Sequence, residues 1–243
     1  MNSKPINEKV EEMYPFFCTL VYRNEKIPFC GGSYLGNNII MSAAHCLVHV
    51  MPDEIDILFS KKDLYDEGER FRVKKIIVHP GYDNISVDND IALIYLEKDP
   101  KKQPIYLPTK KLLENNIYDG KKDEFVIIGF GKENLYNELS MKLKKSRIQS
   151  IPIEETNYSK KDITENMFTA GDMNDPLNKN DNEDSCGGDS GGPLFKDYEF
   201  NGQYIYVLLG ITSWGYGCAI ENFPGVYTKC SQYIPWVIEN WIN

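Results

Sequence analysis

Apolar residues in this chain gather into short runs rich in β-branched and aromatic side chains, and this patterning limits the fold more than any other feature. Eight such runs are evident: Phe16–Tyr22, Asn38–Ala43, Glu54–Ser60, Arg72–His79, Asp90–Leu96, Glu124–Gly131, Lys145–Ile153 and Tyr204–Gly215. Turn-forming clusters separate them, and apolar residues at helical spacing are scarce. Many short strands at such spacing predict an all-β protein of sandwich or barrel type. One helix is expected. In the closing "SQYIPWVIENWIN", Tyr233, Trp236, Val237 and Trp241 recur at helical spacing, over about 231–242.

A length of 243 residues allows one large domain or two small ones. Between Leu96 and Glu124 the chain turns polar and carries Pro100, Pro104 and Pro108, as a connector between two β units would. A second polar run, Gly171–Asp184, reads as an exposed loop. With 42% hydrophobic and 26% charged residues, the composition suits a globular protein with a substantial core. The formal charge of −9 argues against nonspecific nucleic-acid binding, which needs a basic footprint. No apolar stretch reaches bilayer-spanning length. The first residues lack the apolar centre of a signal peptide, so the chain reads as intracellular or as one whose leader was removed. None of the six cysteines sits in CxxC or another metal-ligand spacing, which disfavours zinc. Their even number is compatible with disulfides and an oxidising compartment. Two sequons, Asn84-Ile85-Ser86 and Asn157-Tyr158-Ser159, are compatible with secretion.

The glycine-dense stretch "DSCGGDSGGPLF" (Asp184–Phe195) contains the candidate chemistry. Ser190 reads either as a turn residue or as a nucleophile, and a serine hydroxyl is a weak nucleophile without a nearby base. The chain offers His45, His49 and His79. His45, in "MSAAHC" after a strand-like run, is the candidate base, although a lone histidine also fits a structural role. A base of this kind is oriented by a carboxylate that accepts its other ring N–H. Asp90, at the mouth of an apolar strand, could supply it or simply start a strand. The backbone N–H groups of Gly188 and Ser190 could converge on an oxyanion, with Gly191 and Gly192 permitting close backbone approach.

Four blocks, "CGGSYLGNNIIMSAAHC" (Cys30–Cys46), "DNDIALIYL" (Asp88–Leu96), "DSCGGDSGGPL" (Asp184–Leu194) and "SWGYGCAIENFPGVYTK" (Ser213–Lys229), together resemble the chymotrypsin family of serine endopeptidases. They occur in that family's order and span most of the chain from Pro15 onward. The resemblance implies two six-stranded antiparallel β-barrels, at about 10–110 and 120–230, with the active site in the cleft between them and a C-terminal helix. It implies that His45 is the general base, Asp90 its orienting partner and Ser190 the nucleophile, with Gly188 and Ser190 N–H as the oxyanion hole. Ser213, Trp214 and Gly215 match the segment that pairs with the substrate backbone. Asp184, followed by Ser185, matches the floor of the primary specificity pocket in trypsin-like members, and Gly215 and Gly225 match its small wall positions. Cleavage after Arg or Lys is therefore implied. Cys30–Cys46 and Cys186–Cys218 match two family disulfides. No metal or other cofactor is implied. The expected partners are protein or peptide substrates and protein inhibitors, for a secreted monomer. The alternative is a catalytically silent or zymogen-locked homologue that works by binding.

The chain also departs from the family pattern. Active members begin with an aliphatic pair and glycines, whose ammonium inserts beside the aspartate corresponding to Asp189. Here no such start is visible, and Ile6 lies closer to Pro15 than usual; a chain that truly began Met-Asn would be zymogen-like, with Asp189 unpaired or turned elsewhere. Thr169 and Phe125 stand where cysteines are common. Loss of the first bridge predicts a more mobile loop over Tyr158–Asp184, and the second strand should be braced by apolar packing. Cys18 and Cys230 have no family partners, which leaves a nonstandard bridge or two separate thiols. Gly187 replaces a longer side chain and should leave the pocket rim open. Asp63, Asp66, Glu67 and Glu69 fall near a loop that binds calcium in some relatives. Their spacing matches poorly and fits a solvated acidic turn better.

Overall fold

The structure is a computed structural model that describes residues 4–5, 13–110, 118, 124–131, 139–171, 189–200, 203–216 and 222–241. Thirteen strands run in chain order among these residues. They are β1 (Lys4–Pro5), β2 (Phe17–Tyr22), β3 (Pro28–Gly36), β4 (Ile39–Ser42), β5 (Ile55–Phe59), β6 (Glu69–Val78), β7 (Ala92–Leu96), β8 (Glu124–Gly129), β9 (Lys144–Ile151), β10 (Met167–Gly171), β11 (Pro193–Phe200), β12 (Gln203–Trp214) and β13 (Gly225–Lys229). The first barrel closes in the order β2-β3-β4-β7-β6-β5. The second runs β9-β10-β13-β12-β11-β8 and closes because β8 also pairs with β9. Closure leaves no exposed strand edge in either barrel. β1 adds to the outside of the second barrel, Lys4 facing Lys145 and Pro5 facing Lys144.

All eight apolar runs form strands. The strands that those runs do not include are β1, β3, β10, β11 and β13. β3 carries Cys30-Gly31-Gly32, whose glycines lower local strand preference; pairing with β2 and β4 within the closed barrel overrides it. The C-terminal helix begins later than the sequence predicts. Cys230–Tyr233 forms a 3-10 turn, and the α-helix, α1, spans Ile234–Trp241. Pro235 lies in the first helical turn, where its missing N–H is tolerated. Val237 is fully buried, and Trp236 and Trp241 pack with it on the larger core cluster. Tyr95 Oη donates to Asn240 O at 2.6 Å and fastens this helix to the first barrel.

Both barrel interiors are apolar. Leu20, Ile40, Ile57, Phe59 and Ile94 fill the first, and Phe125, Ile148, Phe168, Leu194, Leu209 and Tyr227 form a cluster in the second. A group of mostly edge-to-face rings, Tyr14, Phe16, Phe195 and Tyr206, with centroids 5.1–6.1 Å apart, joins residues of the two halves. The fully buried rings of Phe16 and Phe195 each contribute about 1.5–3 kcal/mol relative to exposure.

The expected disulfide Cys30–Cys46 is present. Cys186 and Cys218 lie outside the described residues. Thr169 takes up a different brace, its hydroxyl donating to Ile151 O at 2.5 Å inside the sheet. Phe125 is fully buried and braces its strand by packing, as expected. Of the Tyr158–Asp184 stretch, residues 172–184 lie outside the described set.

Cys18 and Cys230 are separate buried thiols and do not form a nonstandard bridge. Burial pushes both thiols well above their ordinary pKa, so the reactive thiolate is suppressed in the folded chain. Iodoacetamide at pH 8 is therefore expected to leave Cys18 and Cys230 unmodified in native protein and to alkylate both in guanidinium. Peptide mapping reads this directly, and rapid native labelling at either position would contradict their burial.

The acidic segment 63–69 does not form a single cation site. Asp63 accepts from Tyr65 N, Asp66 from Lys62 N and Gly68 N, Glu67 pairs with Lys26, and Glu69 pairs with Lys102. The centre of the loop holds a lysine. Lys61 is 2% exposed, and its ammonium donates to the carbonyls of Lys26 at 3.1 Å, Leu64 at 3.0 Å and Asp66 at 2.5 Å.

Candidate active site

The site is assembled from turns at the ends of strands in both barrels. His45 lies just after β4, in a turn closed by Leu47 N and Val48 N, both donating to Ala44 O. Asp90 precedes β7, the neighbour of β4 in the barrel. The two residues meet twice. His45 N donates to Asp90 Oδ1 at 2.8 Å, and His45 Nδ1 lies 2.8 Å from Asp90 Oδ2. An ionised carboxylate can only accept, so Nδ1 carries the proton and Nε2 is left as the free acceptor.

Asp90 is fully buried, and an uncompensated carboxylate there would be costly. Ser213 Oγ, at the end of β12, supplies a further donor to Oδ2 at 2.5 Å. Thr228 Oγ1, on β13, donates to the backbone carbonyl of Asp90 at 3.0 Å. Asp90 of the first barrel is thus held, at its carboxylate and at its backbone carbonyl, by two strands of the second. The His45 side chain is 30% exposed.

Ser190 comes from the tight segment between Asp189 and β11. Its carbonyl accepts from Gly31 N at 2.7 Å, and Gly191 N donates to Thr212 O at 2.8 Å. Gly31 adjoins Cys30, whose disulfide partner Cys46 places its sulfur 3.6 Å from His45 Nε2. The Ser190 segment therefore packs against the element that carries the histidine. Among the described residues, no hydrogen bond joins Ser190 Oγ to His45 Nε2. The glycines after the serine have a steric purpose. Gly191 has φ +77°, and a Cβ there would run into Ser42 Oγ and the Gly31 carbonyl. Only a glycine lets the two barrels approach this closely.

Asp189 is buried, and its carboxylate faces Gly129 and Gly131. Its Oδ1 accepts from Gly131 N at 2.8 Å, and a Cβ at Gly129 or Gly131 would collide with its carboxylate. Lys144 lines the same small cavity, with Ile127, Ile128, Ser146 and Thr212. Burial lowers the Lys144 pKa, while the Asp189 charge acts to raise it. The sequence reading missed Gly129, Gly131 and Lys144 as neighbours of Asp189. The signal was available in "GFG", where two glycines flank a buried phenylalanine.

Trp214 ends β12 and Gly215 follows it, exposed; Gly225 opens β13 opposite Ala170. Trp214 also belongs to an aromatic wall that the sequence reading did not assemble. Tyr158 lies 5.3 Å and Tyr216 5.7 Å from its ring, and Phe223 packs on both tyrosines. Tyr158 Oη fixes this wall by donating to Pro224 O at 2.8 Å. Asp184, Ser185, Gly187 and Gly188 lie outside the described residues. Among the described residues, Cys30, His45 and Cys46 are close enough together to suggest a metal centre, but the disulfide between the two sulfurs removes both as thiolate ligands.

Comparison with known proteins places these features in a family. The model of the family described as Trypsin matches residues 6–237. The chain is 35% identical to "Trypsin Blo t 3" of Blomia tropicalis over 86% of its own length and 76% of that protein's. It is 34% identical to "Ovochymase" of Halocynthia roretzi over 92% of its length, which is 14% of that much longer protein. It is 32% identical to "Tissue-type plasminogen activator" of Mus musculus over 93% of its length, and spans 42% of that protein. With a family match across nearly its whole length and a fold of two closed antiparallel barrels, the chain belongs to the trypsin family of serine proteases.

Proposed function

We propose that the chain is a serine endopeptidase that hydrolyses peptide bonds after Arg or Lys through His45, Asp90 and Ser190. The observation that carries the reading is the doubly hydrogen-bonded Asp90–His45 pair, which commits the imidazole proton to Nδ1 and leaves Nε2 as a base. Its neighbour is the Ser190 segment, stitched to Gly31. Catalytic hydrogen bonds are often long in unliganded enzymes and tighten when substrate binds.

In this reading Ser190 Oγ attacks the scissile carbonyl as His45 Nε2 takes its proton. The N–H groups of Gly188 and Ser190 stabilise the oxyanion. The imidazolium, held by Asp90, gives its proton to the leaving amine as the C–N bond breaks, and the acyl group stays on Ser190. Water, deprotonated by the same imidazole, then releases the carboxylic acid product and returns the proton to Ser190. Ser213, Trp214 and Gly215 bind the substrate backbone. Asp184 at the pocket floor, followed by Ser185 and flanked by Gly215 and Gly225, selects a cationic side chain because a buried carboxylate is costly until a cation reaches it. Asp189 couples activation to the shape of the oxyanion hole. The Cys30–Cys46 disulfide fits an oxidising compartment, and we take the enzyme to be secreted, monomeric and open to protein inhibitors.

An organophosphate is expected to label Ser190 stoichiometrically, and Arg and Lys peptide anilides to be cleaved in preference to Phe or Ala ones. The Ser190→Ala protein is the unlabelled control. Absence of both labelling and hydrolysis in folded protein would favour the alternative, a catalytically silent or zymogen-locked binding protein.

A further inference from the structure

Three consecutive residues before β7 reach three different places in the chain's second half. Asp90 binds Ser213 and Thr228, as described above. Asn89 Oδ1 accepts from Tyr233 Oη at 3.1 Å. Asp88 accepts from Thr164 Oγ1 at 2.7 Å and from Asn166 Nδ2 at 3.1 Å to Oδ1 and 3.3 Å to Oδ2.

The backbone that presents these side chains is strained. Val87 and Asn89 have φ of +56° and +55°. The left-handed region is disfavoured for L-residues and most of all for a β-branched one, so Val87 keeps it only where its surroundings over-determine it. Short contacts within the loop contribute, with Asp83 N donating to Asp88 O at 3.1 Å and Ile91 N to Asn89 O at 2.8 Å. Asn89 Nδ2 also donates to Gly81 O at 2.9 Å, and the second barrel adds the donors to Asp88. The donors to Asp88 are themselves fixed: Asn166 N donates to Thr164 Oγ1, and Lys229 N donates to Asn166 O at 2.8 Å. Lys229 adjoins Thr228, which binds the Asp90 carbonyl. The connections form a closed ring that runs from Asp88 through Asn166 and β13 back to Asp90.

We propose that Asp88 is a positioning residue for the reaction: by clamping the strained 87–89 turn to Thr164 and Asn166, it sets the direction in which Asp90 faces His45. Charge-assisted acceptors of this kind hold geometry more firmly than neutral ones. Thr164 and Asn166 are its working partners, and all three act through Asp90 without touching substrate. The inference rests on the proposed catalytic role of Asp90 and His45.

The test compares Asp88→Ala, the milder Thr164→Val, and the Asp88→Ala/Thr164→Val/Asn166→Ala triple variant. Two measurements are made: kcat and KM on an arginine peptide anilide, and the proton NMR signal of His45 Nδ1–H. Displacement of the Asp90–His45 pair is expected to lower kcat for Asp88→Ala roughly tenfold to a hundredfold. KM should change less than about threefold, because the substrate's own contacts are intact. The Nδ1–H signal should shift or broaden. Thr164→Val should show the same signs to a smaller degree, and the triple variant should lose little more than Asp88→Ala, because members of one network are not additive. Unchanged kcat with an unmoved Nδ1–H signal in Asp88→Ala, or in Thr164→Val should the first variant not fold, overturns the proposal. So does strict additivity in the triple variant. If the parent shows no Ser190-dependent turnover, the catalytic reading fails separately. The Nδ1–H signal still decides whether Asp88 positions the pair.

Discussion

Asp90→Asn is expected to lower kcat about ten-thousandfold while the barrels stay folded, the size of loss attached to this change in the family's reference triad. The reason lies in the donor count. Asp90 receives N–H from the His45 backbone and hydrogen bonds from His45 Nδ1 and Ser213 Oγ, all on its two carboxylate oxygens. An asparagine of the same shape offers one oxygen and one NH2 group, so one position that now accepts must donate. If the oxygen keeps the backbone N–H of His45, the new NH2 faces Nδ1. The ring can then satisfy it only by becoming an acceptor at Nδ1 and moving its proton to Nε2, the atom assigned to take the Ser190 proton. If the amide is reversed, the backbone N–H of His45 meets a donor in a buried site. Ser213 can rotate its hydroxyl in either case, so the penalty falls on the histidine. The melting temperature should fall only slightly, and hydrolysis should recover in part at high pH, where hydroxide replaces the missing base. A variant with kcat within tenfold of the parent would remove Asp90 from the mechanism.

The parts of this site that were legible in the sequence are those written within a few consecutive residues. His45, Asp90 and Ser190 each lie in a short run whose glycines, cysteines or apolar strand mark it as a candidate, and it is the resemblance of several runs together that pairs Cys30 with Cys46. The eight apolar runs became strands because their patterning and their tertiary setting agree. Illegible parts depend on partners far apart in the chain. Thr228 and Ser213 reach Asp90 across 138 and 123 positions, and no local pattern distinguishes them from other hydroxyls in strands. Gly31 and Gly32 hid β3, since the close approach of Gly31 to the Ser190 segment appears only when the barrels are assembled. Thr169 reads as a missing cysteine, yet its hydroxyl makes a hydrogen bond that only the β9–β10 pairing brings within reach. Lys61 is the furthest from its sequence appearance, because lysine next to lysine in an acidic stretch reads as solvent-exposed.

That lysine carries the second large effect expected. Lys61→Met should destabilise the protein by about 3 kcal/mol, since a buried carbonyl deprived of its donor costs about 1–3 kcal/mol and three are affected, with water recovering part of the loss. In a chain of this length such a loss lowers the melting temperature by roughly 6–12 °C. The methionine keeps the length and apolar stem of the side chain, so the change isolates the ammonium. Lys62→Met, at the exposed neighbour, should stay within about 0.5 kcal/mol of the parent. The damage should also spread across the barrels. The loop around Lys61 is joined to the approach to β9, with Leu64 N donating to Met141 O at 2.8 Å and Leu143 N to Lys62 O at 3.2 Å. Loss of the ammonium releases the 61–66 turn, so hydrogen exchange at both amides should accelerate in Lys61→Met and remain unchanged in Lys62→Met. Calcium added to the parent should leave the melting temperature where it was, because the carbonyl cage already encloses a cation and the neighbouring carboxylates are turned to other donors. Equal melting temperatures for the two methionine variants would show that the ammonium does not hold this loop, while a rise with calcium in the parent would show that the acidic side chains can swing together around an ion.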